Sequence, residues 1–200
     1  MPSPVGPTSL AATMKLPALA PPKSPPQARF RRIANFARGL ILVGGALLAA
    51  NTVVAWFQPQ YAATAIKVQT EVAILGPLTL QTRVFAGLWD LVSITVPLVA
   101  LVHLWNVFGE YAQSRIFSVR ALASLRSFAR WMLATALLTP VFRAVMSVIA
   151  TWQNGHGQRE LNLTISSDDY MTLLFGVVTL AISSVMVEAA RIAADNEGFV

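Results

Sequence analysis

One aspartate and one arginine stand inside long apolar stretches of this chain, Asp90 within Val84 to Phe108 and Arg143 within Trp131 to Trp152. If those stretches cross a bilayer, each lone charge costs about 2.5–3.5 kcal/mol to insert, so such residues are rare and usually paired. Asp90 lies six residues past the start of its stretch, about 9 Å at 1.5 Å per residue. Arg143 lies nine residues short of Trp152, about 13 Å. The depths agree within the reach of an arginine, so Asp90 and Arg143 are expected to face each other as an intramembrane charge pair. Such a pair either fixes helix register or forms part of an ion or substrate site. A second group, His103, Asn106 and Glu110, falls on roughly the opposite face of the same helix. No single polar stripe therefore crosses that helix, which speaks against a proton wire or channel. Glu188 near the end of the last span is expected to join His103 and Asn106 in an inner polar cluster, or to pair with Arg191 at i, i+3.

Other chemistry is poorly provided for. There is no cysteine, which removes disulfides, thiolate metal sites and a thiol nucleophile. Of the two histidines, His156 stands four residues before Glu160, but Gly155 and Gly157 flank it and disfavour the helix that a metal pair at this spacing needs. No glycine-rich phosphate loop occurs. The expectation is a protein with no catalytic residues, no metal ligands and no cofactor.

The elements that must carry these residues follow from composition. The 200 residues are 55% hydrophobic and only 12% charged, against about 45–50% and about 25% in soluble domains. Four charge-poor stretches of 18 to 25 residues, Gly39 to Phe57, Val84 to Phe108, Trp131 to Trp152 and Tyr170 to Val187, match the roughly 20 residues that span a bilayer. Open sheets cannot cross lipid, so these are helices, with spans at about 37–57, 84–108, 131–152 and 170–190. All five tryptophans and all three tyrosines stand at or near the span ends, where the half-wet interface favours them. Eleven Lys and Arg flank one side and three (Lys67, Arg83, Arg159) the other, which places both termini in the cytoplasm. Residues 1–34 read as a disordered, proline-rich, basic cytoplasmic tail rather than a signal peptide. Residues 35–200 form the transmembrane domain. Gly45 and Ala49 in the first span suit close helix contact.

Outside the spans, Ile66, Val68, Thr70, Val72 and Ile74 alternate with Lys67, Gln69, Glu71 and Ala73, and Gly76-Pro77 signals a turn. Leu161, Leu163 and Ile165 also alternate with polar neighbours. These segments predict a small extracytoplasmic β cap of three strands. Ser166 to Asp169 reads as a capping box opening the fourth span. On the inner side Ser118 reads as an N-cap, and Val119 to Arg130 as an amphipathic cytoplasmic helix. Leu122, Leu125, Ala129 and Met132 share its apolar face. Arg115, Arg120, Arg126 and Arg130 then offer a basic surface for lipid or a cytoplasmic partner. The fold class expected is thus an all-α membrane protein of four transmembrane helices with a β cap and this helix.

The run Gly109-Glu110-Tyr111-Ala112, then Arg115-Ile116-Phe117-Ser118-Val119-Arg120-Ala121-Leu122 and Phe128-Ala129-Arg130-Trp131, together with Ala190-Arg191-Ile192-Ala193 and the close Asn196 to Val200, resembles a bacterial membrane-protein family designated domain of unknown function 2975. The resemblance covers about residues 35–200. Ser114 departs from it, standing where the family loop is expected to carry glycine. Members are small four-span proteins with no assigned activity, and their genes often neighbour a small helix-turn-helix regulator. The resemblance implies a bacterial inner membrane and a cytoplasmic regulatory protein as partner. Together with the residues, it favours a non-enzymatic integral membrane protein of regulatory or partner-recruiting role. Its contacts would be the lipid bilayer, that partner and copies of itself, with no direct nucleic acid. The alternative is a small oligomeric transporter or channel subunit.

Overall fold

The structure, a computed structural model, describes residues 25–75, 78–154 and 158–197. Among them are five helices: α1 Pro25–Phe57, α2 Pro59–Thr70, α3 Leu80–Ala112, α4 Val119–Thr151 and α5 Ser167–Glu197. Four of these, α1, α3, α4 and α5, are long and apolar enough to cross a membrane. The 33 residues of α1, α3 and α4 give rods of about 50 Å, against about 30 Å of hydrocarbon, so each must also extend beyond it. The expected amphipathic helix is accordingly the first third of α4. Ala121, Leu122, Phe128 and Ala129 are buried there, while Arg120, Arg126 and Arg130 are exposed.

The long helices lie in a row in chain order. α3 packs on α1, α4 on α3, and α5 on α4, while α1 and α5 share no comparable packing among the described residues. The sheet of helices is therefore open, with outer faces on α1 and α5 that show large apolar side chains such as Leu40, Leu47, Phe175 and Val185. α2 crosses one end and touches both α1 and α4. An apolar core of Ile66, Val72, Ala86, Met146 and Ala150 sits under it. Gly45 faces α3, where Leu98 and Leu101 lie within ordinary contact distance, so this small residue serves internal packing.

Two expectations about the fold need correction. No strand occurs among the described residues, so the β cap is absent. The alternation at 66–74 competes with a helical period, and the helix wins. Pro59 starts α2 where its missing N–H costs nothing. Ala62, Ile66 and Thr70, spaced by four, are buried against α4 and α1, while Val68 is 74% exposed. Glu71, at φ 57°, then takes the left-handed conformation that ends the helix. Secondly, α1 begins at Pro25, inside the stretch expected to be a disordered tail. Prolines suit a first turn, and the alanines and arginines that follow are good helix formers. The rest of that tail, residues 1–24, lies outside the described residues, as do Gly76-Pro77 and His156. Corrections that concern the pairing of polar side chains are given with the site below.

The α3–α4 turn explains the departure at Ser114. The Arg115 amide donates to the Glu110 carbonyl at 3.1 Å and the Ser114 amide to the Tyr111 carbonyl at 2.9 Å, the two bonds of a Schellman ending. Ser114 occupies its left-handed position, φ 61°, where glycine carries no steric penalty. Ser114→Gly is expected to raise the unfolding free energy by about 1 kcal/mol, read from denaturant titration in micelles. A decrease would contradict this account of the turn. Ser118 caps α4 as expected, its hydroxyl accepting from the Ala121 amide at 3.1 Å.

Candidate functional site

Polar side chains gather where α3, α4 and the start of α5 meet beneath α2. Asp90 is buried on α3. It accepts the Trp56 indole N–H at 3.0 Å and faces the Ser93 hydroxyl at 3.3 Å. Trp56 can lie flat on α3 because residue 87 is glycine: a Cβ there would stand 3.2 Å from the indole Cγ. Gly87→Ala should therefore displace the indole and break the Asp90 bond. A hydrogen bond to a charged acceptor contributes about 1.5–3 kcal/mol, so Trp56→Phe and Gly87→Ala are expected each to lose part of it. The double variant should lose less than the sum, as a double-mutant cycle in micelles would read. Full additivity would show that the two changes act separately.

Arg143 does not pair with Asp90. Its guanidinium donates to the Asp169 carboxylate at 2.6 Å, the Ser166 hydroxyl at 3.3 Å and, at the limit, the Thr164 carbonyl at 3.5 Å. The depth match was sound, because both residues line one cavity of about 260 Å³ between α3 and α4. What the depth argument lacked was the first turn of α5 at the same level. Asp169 already accepts the Ser166 amide at 2.8 Å and donates its own amide to the Ser166 hydroxyl at 3.3 Å. That is the expected capping box, and it presets a carboxylate for the arginine. The cavity is lined further by Ser93, Pro97, Thr135, Thr139 and Gln69. Pro97 and Pro140 sit inside α3 and α4, and each leaves the carbonyl four residues earlier, Ser93 or Ala136, without its helical donor. The cavity thus offers a carboxylate, a guanidinium and several oxygen acceptors inside otherwise apolar helices. It can hold water or a small polar solute bridging the two charges.

Sequence reasoning did not foresee what holds the segment before α5. Residues 158–166, neither helix nor strand, run beside α4, and their burial alternates residue by residue from 161 to 166, the pattern of an extended chain. The Thr151 hydroxyl lies 3.2 Å from the Glu160 amide, Ser147 accepts the Asn162 amide at 3.0 Å, and Arg143 reaches the Thr164 carbonyl. Four residues of helix rise about 6.0 Å and two extended residues about 6.6 Å, so Arg143, Ser147 and Thr151 meet every second residue of the segment. The alternation seen in the sequence is real but inverted. Asn162, Thr164 and Ser166 turn toward the helix, and Leu161, Leu163 and Ile165 are exposed. Asn162 also donates to the Thr70 carbonyl at 2.8 Å, closing the end of α2. Asn154 donates to the Ala73 carbonyl and accepts from the Leu75 amide. The clue available beforehand was the polar stripe 143–147–151, spaced by four on an apolar helix.

The other candidates separate. Glu188 pairs with Arg191 at 2.9 Å, while His103 is half-buried and Asn106 exposed on α3. The expected inner polar cluster of His103, Asn106 and Glu188 does not assemble, because α4 stands between α3 and α5. Arg115 bridges to Glu110 at 3.4 Å and also bonds the Gln113 side chain. Arg130 donates to the Ser127 hydroxyl at 3.1 Å. No group of three or more metal-ligating side chains occurs among the described residues.

Four membrane-length apolar helices in sequential antiparallel order, with a polar cavity between the central pair, define a multi-pass helical membrane protein. A family model described as a protein of unknown function, DUF2975, matches residues 60–199, and the chain belongs to that family. The match begins in α2, so α1 lies outside it, although the resemblance read from the sequence reached back to about residue 35. No curated protein and no solved structure matches the chain.

Proposed function

We propose that this protein resides in the bacterial inner membrane with both termini cytoplasmic, and that it recruits or regulates a cytoplasmic protein without catalysing a reaction. The observation that carries this reading is α4. One unbroken helix bears the polar ladder of Arg143, Ser147 and Thr151 at one end and the exposed Arg120, Arg126 and Arg130 at the other. A change of state at the α2 end therefore reaches the basic face through a single rod. The distribution of Lys and Arg supports the orientation, since the α3–α4 turn and the approach to α1 hold most of them. Self-association through the open face of α1 belongs to the same reading. Asn51 is exposed there, inside an apolar span, with no hydrogen bond among the described residues, and an amide is self-complementary across a two-fold axis.

The test is crosslinking in native membranes followed by gentle solubilisation. A recurrent cytoplasmic protein should co-purify with the wild-type chain and be lost from Arg126→Glu/Arg130→Glu, with insertion unchanged. A chain recovered alone, or a partner retained by that variant, would defeat the proposal. The cavity favours a second reading, a small transporter or channel subunit. That reading requires solute flux in vesicles that Asp90→Asn abolishes.

A further inference from the structure

A second polar cavity lies at the opposite end of the row, beside the α3–α4 turn. It holds about 470 Å³ and is lined by Arg38 from α1, Trp105, Asn106 and Gln113 from the end of α3, and Arg120 and Ser124 from α4, among others. The Arg38 guanidinium stacks on the Trp105 ring, its carbon 4.2 Å from the ring centroid. Stacking uses the face of a guanidinium and leaves its edge donors free. The Arg38 Nε is buried and donates to nothing among the described residues. Arg120, arriving from another helix, is exposed and bonds no acid among the described residues. Glu110 also lines the cavity, but its carboxylate already takes Arg115 at 3.4 Å and the Ser118 hydroxyl at 3.1 Å. Two guanidiniums from separate helices thus line one hollow, beside an amide-rich wall and an acid that is otherwise engaged.

We propose that this cavity binds a phosphate group, held between Arg38 and Arg120 with Trp105 as its floor. Two planar cations present the paired donors that phosphate oxygens accept, and basic pockets between membrane helices hold anionic head groups. The phosphate can belong to an anionic phospholipid of the surrounding leaflet or to a soluble phosphate, and the experiment separates the two.

Full-length protein is reconstituted in nanodiscs of phosphatidylcholine with a minor share of phosphatidylglycerol, and retained lipid is counted by native mass spectrometry. Wild-type protein should hold phosphatidylglycerol in excess over its bulk share. Arg38→Gln/Arg120→Gln should lose about thirtyfold in that preference, whereas Lys67→Gln, an exposed cation on α2 at the other end of the row, should keep it. Melting in pure phosphatidylcholine nanodiscs verifies that the variants fold. Inorganic phosphate is titrated in those same discs. A phosphate-induced rise in melting temperature that needs Arg38 and Arg120, with no phosphatidylglycerol preference, assigns the site to a soluble phosphate. Equal phosphatidylglycerol retention by the double variant, or no response of the wild type to either phosphate source, overturns the proposal.

Discussion

Arg143→Met is expected to lower the unfolding free energy in micelles by about 3–5 kcal/mol, the cost of stranding one member of a buried ion pair. The side chains of Arg143 and Asp169 retain only 20% and 7% of their exposure. Without the guanidinium, the Asp169 carboxylate is left buried with no cationic partner, and the Thr164 carbonyl and Ser166 hydroxyl lose a donor. Removing both charges should cost much less. In Arg143→Met/Asp169→Leu the stranded carboxylate is gone, and what remains is chiefly the lost cap of α5, about 1 kcal/mol. The cycle should therefore be strongly non-additive. A loss below about 1 kcal/mol for Arg143→Met, the range of an exposed pair, would refute a desolvated pair.

Gly176→Leu should be comparably damaging, for a steric reason. At this position α5 meets α4 so closely that a Cβ alone would stand 2.9 Å from Leu133 Cδ2 and 3.2 Å from the Leu133 backbone nitrogen. The leucine tip could move aside, but the backbone cannot without parting the helices. We expect a loss of about 2–3 kcal/mol for Gly176→Leu and a smaller one for Gly176→Ala. Leu133→Ala should relieve part of the alanine penalty and little of the leucine penalty. If Gly176→Leu melts like the wild type, the α4–α5 approach is not as close as described.

The four spans were legible because bilayer thickness imposes one length and excludes other folds, so a count of apolar residues from Val84 to Phe108 or Trp131 to Trp152 sufficed. The capping box and the Ser118 cap were legible because they are local. Asp90 and Arg143 were rightly brought to one depth, yet Arg143 chose Asp169, twenty-six residues on. Depth along a helix follows from sequence, whereas the neighbour that fills the same layer depends on lateral order. The open row decided the fate of His103 and Glu188 in the same way. The β cap failed because alternation over 66–74 fits both periods, and burial of Ala62, Ile66 and Thr70 chose between them only once α2 had α1 and α4 to pack against. Trp56 and Trp89 were read as interfacial anchors. Their indoles instead donate inward, to Asp90 and to the Phe142 carbonyl, and for Trp56 it is Gly87 that leaves the room.

Two rulers with slightly different divisions stay aligned only briefly, and the ladder between α4 and the extended segment is such a vernier. Each step slips by about 0.6 Å, so the two steps between three rungs accumulate about 1.2 Å, enough to pull a short side chain out of hydrogen-bond range. The sequence places its two short hydroxyl side chains, Thr151 and Ser147, where the rulers still agree. Where they part, it places the longest flexible donor, Arg143. Its reach absorbs the accumulated error, and the Thr164 contact has already stretched to 3.5 Å. Two residues later the chain abandons the extended form and starts α5. The length of that segment thus follows an arithmetic mismatch, and the next residue of the stripe on α4, Thr139, already donates its hydroxyl to the Thr135 carbonyl at 2.7 Å.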